Sequence, residues 1–130
     1  LEGLPEMAAQ PDIAWLIAGA YFATRWRSGV HVLEWADRGD VEMVTLAVNG
    51  GRHGLRRRTR CTARALSRLA SLRELAWRAR PTDRGVIVMA LQLALKQAGH
   101  PPGPIDGIYG QRTGLAVAAS LDPQTEPGHA

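Results

Sequence analysis

The sequence predicts an all-α protein, on three observations. Apolar residues recur at helical spacing in several stretches, no stretch alternates strictly as a half-buried strand would, and Pro, Gly and Asn stand where helices should stop. The first helix is expected over 13–26, opened by Pro11-Asp12 and stopped by Ser28-Gly29. The second starts with Asp40 as N-cap, carries Val41, Val44, Leu46, Ala47 and Val48, and ends at Asn49-Gly50-Gly51. A third, longer helix spans 55–79 and is closed by Pro81. Residues 81–85 read as a linker, and 86–98 form a helix ended by Gly99. Pro101-Pro102-Gly103-Pro104 is non-helical, and a last helix over 113–121, with Thr113 as N-cap, stops before Pro123. Residues 123–130 are a Pro/Gly/His tail without a period, expected to be disordered.

Length and composition bound the answer further. The chain of 130 residues is one domain or two very small ones, and 45% hydrophobic content suits a packed core rather than disorder. No apolar run reaches the roughly 18 residues of a membrane span. The longest, 13–23, runs at once into Arg25 and Arg27 and lacks the basic start and small-residue cleavage site of a secretory leader. A first residue that is Leu1 rather than Met, with the aperiodic tail, suggests a piece of a longer protein. Cys61 is the single cysteine, which excludes an internal disulfide and a cysteine-based zinc site. No metal or cofactor is expected.

The formal charge of +4 is carried almost wholly by arginine: 15 of the 16 basic residues are Arg and only Lys96 is Lys. Between Met43 and Thr82 there are ten Arg and one acid, Glu74. Arg56, Arg60, Arg64 and Arg68 recur every four residues and so share one helix face, roughly opposite Leu55, Leu66 and Leu69. Two readings of that face stand: a solvated outer surface, or a stripe for a polyanion such as nucleic acid, anionic lipid or a wall polymer. Arg58 falls about 200° from Arg56, with the leucines, so it is expected on the core side with an anionic or carbonyl partner.

Two stretches resemble known families. Ala36-Asp37-Arg38-Gly39-Asp40-Val41-Glu42-Met43-Val44-Thr45, followed by Val48-Asn49-Gly50-Gly51 and Gly54-Leu55, resembles the C-terminal part of family 19 glycoside hydrolases, the chitinases and chitinase-like lysins. Ala9-Gln10-Pro11 and a helix with Tyr21-Phe22 fit the same pattern, and the resemblance covers residues 1 to about 70. Val48, His53 and Arg57 stand where the family commonly has Ile, Asn and Asp. The resemblance implies that Asn49 positions sugar at a cleft floor and that Arg58 pairs with catalytic carboxylates. From the residues alone, Asn49-Gly50-Gly51 is equally a helix C-cap. The family inverts the anomeric centre with two carboxyls about 6.5–9.5 Å apart. Both come from an upstream His-Glu region with no counterpart in this chain, and nothing places two of Glu34, Asp37, Asp40 and Glu42 across a groove. No catalytic residue is therefore assigned.

The second resemblance is to the peptidoglycan-binding domain, a small helical bundle. It is carried by Val88-Met89-Ala90-Leu91-Gln92-Leu93-Ala94-Leu95, Gly99, Gly103-Pro104-Ile105-Asp106-Gly107-Ile108-Tyr109-Gly110-Gln111-Arg112-Thr113 and Ala116-Val117. Asp106-Gly107 makes a tight turn and Gly110 another. Ile105, Ile108 and Tyr109 are expected to anchor the loop on the helix of Leu91 and Leu95. The candidate binding residues are Asp106, Gly107, Tyr109, Gly110, Arg112 and Thr113, with Tyr109 and Arg112 the ones suited to glycan stacking and stem-peptide hydrogen bonds. Ser120-Leu121 replaces the Phe-Gln that often ends the motif.

Together these predict residues 1–80 as the C-terminal helical portion of a lysozyme-like, chitinase-like domain, a linker at 81–85, and a three-helix-type binding module over 86–122. The expected partner is peptidoglycan, met as a monomer at the cell wall, in the periplasm or outside the cell after release. The parent protein would be an inverting glycosidase, and this stretch alone would be inactive. A non-catalytic wall-binding protein is the alternative. An arginine-rich nucleic-acid binder is a third, although no nucleic-acid motif supports it. Neither a membrane nor nucleic acid is an expected partner.

Overall fold

The protein is described from a computed structural model, over residues 5–122. It is all-α, with one two-stranded ribbon among the described residues. By compactness the chain divides between Leu55 and Arg56 into two units. The tail expected at 123–130 lies outside the described residues.

In the first unit a 3-10 turn, Pro5–Ala9, leads into α1, Pro11–Thr24, which has Pro11 at its first position, where a missing N–H costs nothing. The helix expected to reach 26 stops at Thr24, because the next residues form a hairpin. β1, Trp26–Arg27, pairs antiparallel with β2, Val30–His31. Ser28 and Gly29, read from sequence as a stop, are the two turn residues, with φ of 52° and 73°. Positive φ at both centres is the turn whose twist matches a hairpin.

His31 then caps α2, Val32–Asp37: its Nδ1 accepts from the Leu33 N–H at 3.2 Å, which leaves Nε2 to donate to the Ala23 carbonyl at 2.8 Å. The Trp26 ring stands edge-on to His31, with centroids 5.1 Å apart. Val32 is fully buried. Asp40 caps α3, Val41–Asn49, its Oδ1 accepting from the Met43 N–H at 2.9 Å, and Gly50 ends the helix at φ 71°. Both ends match the sequence reading. The Tyr21 hydroxyl donates to the Val48 carbonyl at 2.9 Å, so a side chain of α1 satisfies one of the orphan acceptors at the end of α3.

One polar atom in this unit is out of place. Thr45 is 2% exposed on α3, and its Oγ1 has no hydrogen-bond partner among the described residues. Thr45→Val, of nearly the same shape, is expected to stabilise the first unit by about 1 kcal/mol by removing an unsatisfied hydroxyl. Denaturant unfolding checks this; a loss of stability would mean that the hydroxyl is paired.

The expected helix over 55–79 is two helices. α4, Leu55–Leu69, ends before Ala70-Ser71, and α5, Leu72–Arg78, begins anew with the Ser71 Oγ accepting from the Glu74 N–H at 3.1 Å. Ser71-Leu72-Arg73-Glu74 is a capping-box sequence, whose N-cap residue has extended backbone and so interrupts the helix. α6, Val86–Gln97, is the centre of the second unit, packed against α5 on one side and α7, Gln111–Leu121, on another. Leu75, Leu91 and Leu95 are fully buried, each contributing roughly 1.5–3 kcal/mol from burial.

The residues at 81–85 are not a free linker. The Asp83 Oδ2 accepts from the Arg80 N–H at 2.8 Å, and Arg84 bridges antiparallel to Ile108. The Gly85 N–H donates to the Gly107 carbonyl at 2.8 Å, and the Tyr109 N–H to the Asp83 carbonyl at 3.0 Å. The segment is built into the loop that follows α6.

Candidate functional site

The loop between α6 and α7 is organised by one side chain. Gln92 is 1% exposed in a helix otherwise lined by Val86, Val88, Leu91 and Leu95. A carboxamide there must find partners for both of its ends. Its Oε1 accepts from the backbone N–H groups of Asp106, at 3.1 Å, and Gly107, at 2.9 Å. Its Nε2 faces the Ile108 carbonyl and Asp106 Oδ1, each at 3.1 Å, and Thr113 Oγ1 at 3.2 Å. A single side chain therefore fixes the loop and the first turn of α7 together.

Asp106 completes the turn. Its Oδ1 accepts from the Ile108 N–H at 2.9 Å. That bond, and then the one from Gln92, hold its carboxyl below the ordinary value of 3.8. Gly107, with φ 72°, presses against backbone: a Cβ there would lie 2.9 Å from the Gly85 carbonyl oxygen. Only glycine fits on both counts.

The six residues singled out from sequence thus lie on one continuous segment, but they divide by accessibility. Gly107 is buried and Thr113 is 2% exposed, so both shape the loop from within. Thr113 is not the cap of α7; that position belongs to Gly110, and the Thr113 hydroxyl is drawn inward to Gln92. Asp106 spends one carboxylate oxygen on the turn. Tyr109 is half-buried, its ring edge 3.6 Å from where a Cβ on Gly114 would stand. Its hydroxyl has no hydrogen-bond partner among the described residues. Gly110 and Arg112 are exposed.

The expected anchoring by Ile108 is corrected. Ile108 is 42% exposed, and the loop is held instead by the polar contacts of Gln92 to the backbone around it. Leu91 and Leu95 do lie beneath, fully buried.

Arg112 lines two shallow grooves. One, of about 200 Å³, is bordered by Pro102, Pro104, Asp106, Ile108 and Gln111. The other, of about 300 Å³, has His100 at its edge and Leu115, Ala116 and Ala119 on its wall. Arg112 has no ion pair among the described residues. The arrangement sets the Arg112 guanidinium beside apolar walls, with Asp106 on one groove and His100 on the other, and carries the Tyr109 phenol on the same segment, which is chemistry suited to binding.

Asn49 and Arg58 fall in different units. Asn49 is an exposed residue in the last turn of α3. Arg58 is exposed, not on the core side as the helical wheel suggested. The buried face of α4 is centred on small residues: Ala63 and Ser67 are buried, with Thr59, Thr62 and Leu66 half-buried beside them. Arg58 lies about 140° from Ala63, and Leu69, used to set the wheel, is 85% exposed.

Three of the four acids weighed from sequence have partners of their own. Glu42 accepts from the Arg52 Nε at 2.6 Å, Glu34 pairs with Arg38 at 3.5 Å, and Asp40 is a helix cap. No described helix is long and apolar enough to cross a membrane. Comparison with known protein families, with curated proteins and with solved structures finds no match to this chain.

Proposed function

We propose that residues 86–122, within the second unit, are a peptidoglycan-binding module of a cell-wall hydrolase, and that hydrolysis depends on carboxylates outside this sequence. The observation that carries the reading is the Tyr109–Arg112 rim. A phenol on the loop and a guanidinium in the first turn of α7, both without side-chain partners among the described residues, stand on a segment whose backbone Gln92 fixes. Polar groups on a fixed backbone beside apolar grooves suit a saccharide carrying a short peptide, because binding must order the Arg112 side chain but not the loop beneath it.

The hydrolase half rests on the likeness of residues 1–70 to family 19 glycosidases. It is supported by the exposed apolar surface of the first unit: α1 buries no residue, while Trp15 is 79% and Leu16 73% exposed. A surface of that kind suits a portion of a larger domain. Activity of the whole would lie at the wall, in the periplasm or outside the cell.

Co-sedimentation with purified peptidoglycan sacculi tests the binding half. The chain is expected in the pellet, and Tyr109→Ala and Arg112→Ala are each expected to weaken retention roughly tenfold, at about 1.4 kcal/mol, with the fold intact by circular dichroism. A chain that stays in the supernatant would refute the reading. Lysis assays on the same chain should show no turnover, since the acid/base pair is absent from it.

A further inference from the structure

We infer that the arginine row of α4 is a second, separate docking surface, for a linear polyol-phosphate polymer of the kind threaded through bacterial walls. The proposal rests on the wall-binding reading of the same unit.

Arg56, Arg60, Arg64 and Arg68 are all exposed on the 15-residue helix. Successive members rise about 6 Å along the axis, a regular ladder of guanidinium groups. None of the four has an ion pair among the described residues. A face serving only solubility interleaves acids, as α2 does where Glu34 meets Arg38 four residues on. Here three consecutive pairs at that spacing are like-charged, each costing the helix about 0.2–0.5 kcal/mol. A polyanion lying along the row reverses the sign of that cost.

The charge is also segregated along the chain. Residues 56–130 hold twelve basic and five acidic residues, a formal +7, whereas residues 1–55 hold four and seven, a formal −3. Guanidinium suits phosphate in particular, because its planar fork donates two parallel hydrogen bonds to two oxygens. Nucleic acid shares the phosphodiester chain, and helix arginines also hold duplex DNA through its phosphates and through guanine, whereas its single strands are held by aromatic stacking as well. α4, LRRRTRCTARALSRL, has no aromatic residue, no Asn and no Gln. The missing aromatics disfavour single strands, and the wall-binding reading of residues 86–122 in the same unit favours a wall phosphate polymer over duplex DNA.

The test uses the full chain and two preparations of Gram-positive wall, one intact and one stripped of phosphate polymer by hydrofluoric acid. At low salt, retention on intact wall should exceed that on stripped wall about tenfold. Binding to the purified polymer should fall roughly fifty-fold between about 50 and 200 mM salt if four phosphates are neutralised. The variant with Arg56, Arg60, Arg64 and Arg68 all changed to Gln should lose the excess and still bind stripped wall. Arg60→Gln with Arg64→Gln, a lighter change, should lose part of it, and circular dichroism reports the helix in both. Equal retention on the two walls, an excess that survives the fourfold change, or tighter binding to duplex DNA than to the polymer would overturn the proposal. If instead the chain binds purified polymer but not stripped wall, the loop reading fails and the arginine row stands.

Discussion

Gln92→Leu is expected to destabilise the second unit by about 2–4 kcal/mol, although it replaces a polar residue by an apolar one of similar size in an apolar helix. The added hydrophobicity is worth less than what is orphaned. The Gly107 N–H is buried, and it loses its acceptor together with the Asp106 N–H, while the Ile108 carbonyl and Thr113 hydroxyl lose a donor. Each buried group left unsatisfied costs about 1–3 kcal/mol, discounted for Asp106 because that residue is exposed. Thermal unfolding, with hydrogen exchange at Gly107 and Ile108, reads the change. Asp106 supplies an internal check. Its lowered pKa means that its contribution is present above 3.8 and is lost only as pH falls through the depressed value. In the Leu variant one of the two main causes of that lowering is gone, so the carboxyl should titrate closer to 3.8. A variant as stable as the parent would show that the loop is held by something else.

The Gly107→Ala variant should lose a comparable amount, about 2–5 kcal/mol, for a different reason. Left-handed backbone costs a non-glycine residue roughly 1–2 kcal/mol. The new methyl would also meet the Gly85 carbonyl oxygen at 2.9 Å, and backbone cannot swing aside as a side chain can. Relief requires opening the ladder between 82–85 and 107–109, which adds an overpacking cost of about 1–3 kcal/mol. Gly103 is the control. It has φ 86°, yet the atom nearest an added Cβ is the Cδ of Arg112, at 2.9 Å. That side chain can move, so Gly103→Ala should be milder in denaturant unfolding and should displace the guanidinium at the groove. Equal losses at the two positions would show that backbone approach is not what singles out Gly107.

Local signals account for most of what the sequence reading found. Asp40, Gly50 and Gly99 sit where capping chemistry put them, because caps depend on near neighbours. The misreadings come where one local pattern resembles another. Ser28-Gly29 reads as a helix stop, yet positive φ at both makes it a hairpin centre, and two-residue strands are too short to alternate. No Gly or Pro interrupts 55–80, which hides the cap at Ser71, although Ser71-x-x-Glu74 marks it. Arg58 was placed inward by a wheel centred on leucines, whereas α4 packs through Ala63 and Ser67.

At the site, the segment 106–113 was visible from its turn residues, but what holds it was not. Leu91 and Leu95 mark α6 as buried, and the lone Gln between them is the signal that could reveal it. A polar residue on a buried helix face implies a waiting set of backbone groups, and these proved to lie 14 to 16 residues further on.

The central claim is that the rim from Ile108 to Arg112 meets the wall. Nuclear magnetic resonance of the full chain, titrated with soluble peptidoglycan fragments, addresses this residue by residue. Saturable shifts should appear at Ile108, Tyr109, Gly110, Arg112 and Leu115, with the Gln92 side-chain amide unmoved because it is already bound within the protein. Shifts confined to α1–α3, or a silent loop at saturating fragment, would contradict it.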